Sequence, residues 1–318
     1  MDSMSWLQGK PANLELVSQN DRHGKPLKTI VDKATGLVRN DPIPSDEELE
    51  RFYQDAYRVE YKGAALPRKR QALRNFRRAA EFIQTNRDIV LKAQRILDIG
   101  AGSGEFLFMV KETGRDGRGI EPNRDYSQFC RDSYGLNVQT AHLKADLFEK
   151  GQYEFVRLNH VMEHLNNPIA YLEMIAQWLT PEGVLYVEVP NIESYCALKS
   201  KGRMFHYGHI YNFNPWTLRA VAGLAGLVEV PTTVARSSGT TGVFLMRGDR
   251  LAVEAAVNAA NGQKVAELVR THEMHGPSGD YRAKLFAKLK ARIDEFFSTV
   301  GASSFSDIGK RVAKTISA

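Results

Sequence analysis

From about residue 94 the chain alternates strand-like and helix-like patterns with short connections, and that alternation restricts its fold more than any other feature. "RILDIG" reads as a first strand, and "EFLFMVKETG" as a helix with Phe106, Leu107 and Val110 on one face and Gly114 as its stop. "GRGIEP" is a second strand, "NRDYSQFCRDSYG" a second helix closed by Gly135, and "LNVQTA" a third strand. "EFVRLNHV" and "TPEGVLYVEVPN" follow as fourth and fifth strands around the helix "NPIAYLEMIAQWL". After the Pro-opened helix "NPWTLRAVAGLAG", the stretches "LVEVPTTVA" and "GVFLMRG" read as a closing antiparallel hairpin. Such a chain folds as α/β, a mostly parallel sheet with helices on both faces, and binds ligands beyond the carboxyl ends of its strands. Three segments are expected: an N-terminal extension over 1–92, the sheet domain over 93–250, and a helical C-terminal extension over 251–318.

The longest apolar run, "AVAGLAGLV", is too short to span a bilayer, and "MDSMSWLQGK" lacks the basic flank and apolar centre of a leader, so the expected location is the cytoplasm. Cys130 and Cys196 have no partners at metal-ligand spacing. The net charge of +6 is concentrated in "PRKRQALRNFRRAA", where Arg68, Lys69, Arg70, Arg74, Arg77 and Arg78 fall within about three helical turns. That run reads as a solvated face or as an attractor for a phosphorylated small molecule. With Phe76 as its one aromatic residue it lacks the stacking series of a single-strand binder, which argues against nucleic acid. A stripe of Leu285, Leu289, Ile293 and Phe297 reads as a helix docked on the core or on a second copy of the chain.

The turn "DIGAGSGE" carries the cofactor argument. Its glycines, Gly100, Gly102 and Gly104, are each two apart, whereas a dinucleotide turn spaces them G-x-G-x-x-G. Glu105 stands where the third glycine of that pattern belongs, and its carboxylate would repel a pyrophosphate. Glu121, 23 residues after Asp98 at a strand end, suits the two hydroxyls of a ribose in both cofactor classes that compete for a glycine-rich first turn, dinucleotides and S-adenosylmethionine.

Taken together, "LDIGAGSGEF", "GIEPN", "YEFVRLNHVMEHLNNP", "LTPEGVLYVEVPN" and "FHYGHIYNFNPWTL" resemble, over about 94 to 247, the class I S-adenosylmethionine-dependent methyltransferases with their Rossmann-like fold. The branch in which a "hVLEHL" segment follows the fourth strand is the most similar. The resemblance implies that Asp98, Gly100, Ala101, Gly102 and Gly104 lie against the methionine part of the cofactor, that Glu121 and Pro122 hold the ribose, and that Asn159 and His160 line the pocket. The adenine contact stays open, with Asp146 the one carboxylate in "AHLKADL". Relatives in this branch often begin with a cysteine-rich zinc ribbon; here "NDRHGKPLKTIVDKATGLV" has no cysteine and reads as a metal-free remnant. Tyr53, Tyr57, Arg58 and Tyr61 either close over the cofactor, with Tyr57 as the contact, or pack the N-terminal helix on the sheet.

An oxygen or carbon acceptor requires a base. Candidates are His160, Glu163 and His164 after the fourth strand and His206 and His209 in "FHYGHIYNFNP", with His164 and His209 favoured and Glu163 read chiefly as a loop-orienting residue. His160-x-x-Glu163-His164 resembles the Glu-x-x-Glu-His metal site of ubiquinone-pathway O-methyltransferases, but its first ligand is replaced, and no metal is assigned. "HEMH" at 272–275 reads as a loop. The expected activity is methyl transfer to a small molecule, a sugar, nucleotide-linked sugar or glycan end being favoured through similar zinc-ribbon relatives. The alternatives are an RNA or protein methyltransferase and a non-catalytic binding protein.

Overall fold

A computed structural model describes residues 3–52, 66–232, 239–277, 294–295 and 298–316. Tyr53, Tyr57, Arg58, Tyr61 and the stripe from Leu285 to Phe297 lie outside the described residues.

Among the described residues the strands form two sheets. The larger has seven strands in the order β10-β11-β8-β7-β4-β5-β6. Its parallel part comprises β4 (Arg95–Ile99), β5 (Asp116–Ile120), β6 (Asn137–Gln139), β7 (Tyr153–Asn159) and β8 (Leu179–Pro190). The hairpin of β10 (Leu227–Glu229) and β11 (Thr240–Arg247) adds antiparallel to β8. This is the Rossmann-like arrangement that the alternation implies, and the order reverses between β4 and β7, the place where sheets of this kind bind ligands at their carboxyl ends.

Strand alternation splits the sheet into two faces. Leu97, Ile99, Val156, Leu158, Leu185 and Val187 lie in one apolar core, and Ile96, Phe155, Tyr186 and Phe244 in another. Helix α3 (Lys69–Thr85) covers the second face with Leu73, Phe76, Ala80 and Ile83, and Phe76 meets Phe108 and Tyr134 edge-on. Three of its basic residues are committed to the C-terminal segment: Lys69 donates to the carbonyl of Ala302, Arg74 pairs with Glu295, and Arg77 pairs with Asp294 and donates to Ser298. The basic run therefore fastens the C-terminal segment to the core.

The second sheet is antiparallel: β1 (Leu14–Asn20), β2 (Pro26–Asp32), β3 (Val38–Asn40) and β9 (Tyr211–Asn212). Three strands come from the N-terminal extension and the fourth from the loop that carries His206 and His209. Helix α10 (Ala259–His275) packs on β1 and β2. "HEMH" ends this helix and is not a loop: His272 is buried and its Nδ1 meets the carbonyl of Cys196 at 2.9 Å, a partner that polarity alone could not reveal. No helix among the described residues is long and apolar enough to cross a membrane.

Candidate active site

The glycine turn leaves β4 with all three glycines at positive φ: 71° at Gly100, 56° at Gly102 and 87° at Gly104. Gly102 faces open space, so its glycine is required by the backbone and keeps the turn's outer side clear for a ligand; at Gly100 a Cβ would strike Val161 Cγ2 at 2.5 Å. The amides of Gly100 and Ala101 donate to the carbonyl of Ile120 at 2.9 and 3.0 Å. Glu121, just past β5 and buried, accepts from the amides of Gly102 at 2.8 Å and Asn123 at 2.9 Å. Asn123 in turn caps α6 (Arg124–Tyr134). Ala101 lies in this turn and Pro122 is exposed beside Glu121.

Asp98 is fully buried and points into the second face, where Arg157 Nη1 donates to its Oδ1 at 3.0 Å; Oδ2 has no partner. Burial pushes the Asp98 carboxyl up, and Arg157 pulls it back. The guanidinium lies 4.5 Å from the Phe106 ring centre. Asn159, its carboxamide oriented by its neighbours, accepts from Arg157 and donates to Glu188, each at 3.2 Å. Tyr186 donates to the other Glu188 oxygen at 2.6 Å, and its hydroxyl fits because β11 presents Gly242, where a Cβ would lie 2.4 Å away. Arg157 and Glu188 escaped the motif reading. Their signal was a charge at an inward position of a central parallel strand, which demands a partner on the neighbouring strand.

Past β7 the chain enters the left-handed region at His160 (φ 55°), the one non-glycine residue among those described to do so. A short 3-10 turn, Met162–His164, then buries Glu163 to 1% exposure with neither carboxylate oxygen hydrogen-bonded. Three imidazoles converge on its Oε1: His160 Nδ1 at 3.4 Å, His164 Nε2 at 3.8 Å and His209 Nε2 at 3.9 Å. His160 also faces Glu188 at 3.7 Å. His164 is anchored through Nδ1 by the carbonyl of Gly208, and His206 lies 3.8 Å from His209 between ring centres. The fold thus brings Asn159, His160, Glu163, His164, His206 and His209 together.

Burial depresses the His209 imidazole well below its usual range, and the neighbouring histidines and Arg22 add to it. His206 is pushed down to about 3 by burial, with Arg22 and His23 contributing. At His160 burial acts downward, but the Glu163 and Glu188 carboxylates outweigh it, raising its affinity for a proton.

A methyltransferase-domain family model matches residues 68–230, just over half of the chain. The chain belongs to this methyltransferase family. Its curated relatives include a ubiquinone biosynthesis O-methyltransferase from Methylococcus capsulatus, 24% identical over 118 residues that make up 35% of this chain and 48% of that protein. The chain therefore spans about half of that relative's length. Similar solved structures include an S-adenosylmethionine-dependent methyltransferase from Archaeoglobus fulgidus (17% identity, 62% of this chain and 98% of that one, TM-score 0.43). Another is the Burkholderia thailandensis 1,6-didemethyltoxoflavin N1-methyltransferase, with S-adenosylhomocysteine bound (15% identity, 70% and 96%, TM-score 0.45).

S-adenosylmethionine is the cofactor of this methyltransferase family. The chain's donor set fits it. The open turn at Gly102, the Glu121 carboxylate and the unmatched Asp98 Oδ2 suit hydroxyls and positive charge, and would repel a pyrophosphate.

Two stability measurements check this geometry. Arg157→Met strands Asp98 in the interior and should cost about 3–5 kcal/mol, whereas the double variant Asp98→Asn, Arg157→Met should lose much less; equal losses in a denaturant series would contradict the pairing. His206 stays neutral in the fold, while the unfolded chain takes up its proton below about pH 6.5. Stability therefore falls with pH from about 6.5 towards 3, by about 1.4 kcal/mol per pH unit for this one group, and His206→Gln should flatten the acid limb by that slope.

Proposed function

We propose that this methyltransferase transfers the cofactor's methyl group to a hydroxyl or carbon of a small molecule, a sugar, nucleotide-linked sugar or glycan end, with His209 as the base. One observation carries the reading: a buried carboxylate, Glu163, faces His209 Nε2 at 3.9 Å, while the buried His209 Nδ1 has no partner. The cofactor supplies an electrophilic methyl group on sulfur and a neutral thioether leaving group. Glu163 favours the proton on Nε2, which leaves the Nδ1 lone pair to take the acceptor's proton. Its low proton affinity keeps His209 neutral near pH 7. The new imidazolium is then balanced by the Glu163 carboxylate, as in other carboxylate–imidazole bases. His164, anchored by Gly208, and His206, packed on His209, hold the rings in place.

On the cofactor side we assign Gly100, Ala101, Gly102 and Gly104 to the methionine part, Glu121 and Pro122 to the ribose, and Asn159 and His160 to the pocket lining. Asp98 contributes through its unmatched oxygen, since Arg157 occupies the other. For the acceptor, a cleft of about 400 Å³ beside the histidine loop is lined by Asp21, Lys25, Glu48, Arg51, Phe52 and Tyr207, with Pro26 and Leu27 completing its wall. The Phe52 and Tyr207 rings, 4.9 Å apart, offer a stacking surface for a sugar or base, and the two cations and two carboxylates of the lining suit hydroxyl groups.

A second reading rests on its own observation. Ligand atoms of Glu163, His164 and His209 all lie within 4.8 Å of one another, and His164, its Nδ1 directed at a carbonyl, presents a lone pair at Nε2. Two imidazoles and a carboxylate suit a divalent ion. His209, distant in sequence, takes the place that local spacing offered to His160.

Glu121→Ala should weaken S-adenosylhomocysteine binding by about 1.5–3 kcal/mol in calorimetric titration. Unchanged affinity, or a preference for NAD, overturns the cofactor assignment. Labelled cofactor incubated with cell extract should mark small molecules and leave RNA and protein unmarked. With the acceptor so found, His209→Ala should lower turnover by roughly 10²–10⁴-fold with cofactor affinity kept. Activity that disappears with chelator and returns with a divalent ion would instead establish the metal reading.

A further inference from the structure

Residues 1–67 lie outside the part of the chain that matches the methyltransferase family, yet they hold the loop from which His206 and His209 project. β9 begins two residues after His209 and pairs antiparallel with β3, Val38 opposite Asn212 and Arg39 opposite Tyr211. Hydrogen bonds run the length of this seam. The amide of Arg22 donates to the carbonyl of Phe205 at 2.7 Å, just before His206, and the amide of Asn40 donates to that of Ile210 at 2.9 Å, just after His209. Between them, Asn40 Nδ2 reaches the carbonyl of Tyr207 at 3.0 Å. Arg203 closes the same edge by donating to the carbonyl of Arg22 at 3.0 Å.

Asn40 stands apart in this set. It is 1% exposed, and it grips the loop twice, through main chain and side chain, on both sides of His209. The loop's own closure is slight by comparison, a bond from the His209 amide to the His206 carbonyl at 3.1 Å. A two-residue strand has little intrinsic preference for its register, so the side-chain bond to Tyr207 decides how far the loop can rotate about β9. Misplacing an acceptor-side ring by about 1 Å is enough to impair a transfer that depends on alignment.

We infer that Asn40 is a positioning residue for His206 and His209, and that the N-terminal sheet serves the reaction by fixing the loop that bears them. The inference rests on the histidine chemistry proposed above. Full turnover in His209→Ala would remove that chemistry and leave the coupling of Asn40 to the rings intact, so the two failures are distinguishable.

The test uses the full chain, labelled with nitrogen-15 and saturated with S-adenosylhomocysteine, and reads the imidazole nitrogen resonances. Asn40→Ala should displace the His206 and His209 signals, leave that of His160, just past β7, in place, and change S-adenosylhomocysteine affinity by less than about twofold. Thr29→Ala, at a buried position opposite Asn40 in β2, perturbs the same sheet without touching the loop and should leave both ring signals unmoved. Unmoved His206 and His209 signals in Asn40→Ala, or equal displacement in Thr29→Ala, overturns the inference. Should Asn40→Ala fail to fold, Arg203→Ala releases the same edge without opening a cavity and should displace His206 more than His209; no displacement there counts equally against it.

Discussion

The carbonyl of Ile120 and the carboxylate of Glu121 hold the end of β4 against the end of β5, and the rest of the site is laid out from that junction. Two amides of the glycine turn converge on one carbonyl and a third on the carboxylate, so the turn is fixed where the ladder itself has ended. Val161 then packs against Gly100 with no room for a side chain between them, which sets the height at which the segment after β7 leaves the sheet. His160 and Glu163 follow from that exit. The glycines therefore do two things at once: they clear space outward and permit contact inward.

A central parallel strand is ordinarily apolar on both sides, and β4, β7 and β8 carry polar groups at their ends, with Arg95 and Glu154 paired at the amino-terminal edge. Towards the carboxyl ends Asp98, Arg157, Asn159, Glu188 and Tyr186 form a chain of partners across three strands. Deeper in the same face Ile96, Phe155 and Phe244 keep the core dry. Such a chain gives the crevice a floor of fixed polarity. In a low-dielectric setting an unpaired member would cost more than its partner contributes, which ties these positions to one another.

Much of this was legible beforehand because it is written in short-range patterns. The strand and helix alternation, the turn glycines, Gly135 ending its helix at φ 59° and the closing hairpin all follow from local spacing. What spacing could not supply were pairings between distant segments. Two partners of the basic helix, Glu295 and Asp294, lie more than 200 residues away, so a run that read as a solvated face or as an attractor also clamps a distant segment. His209 joins Glu163 only because the loop after β8 folds back over β7. The fourth strand of the N-terminal sheet had no signature to read, since two residues carry no strand pattern.

That fourth strand has a consequence for how the molecule is made. Residues 14–40 emerge first and can pair among themselves, but β3 keeps a bare edge until residue 212 has been synthesised, across more than 170 intervening positions. Contacts of such long separation form late, and an unpaired edge invites pairing with other chains in the meantime. The histidine loop is thus fixed only after the glycine turn between β4 and β5 has formed from near neighbours. A chain released before that point would carry the glycine turn in place and no organised histidine loop beside it.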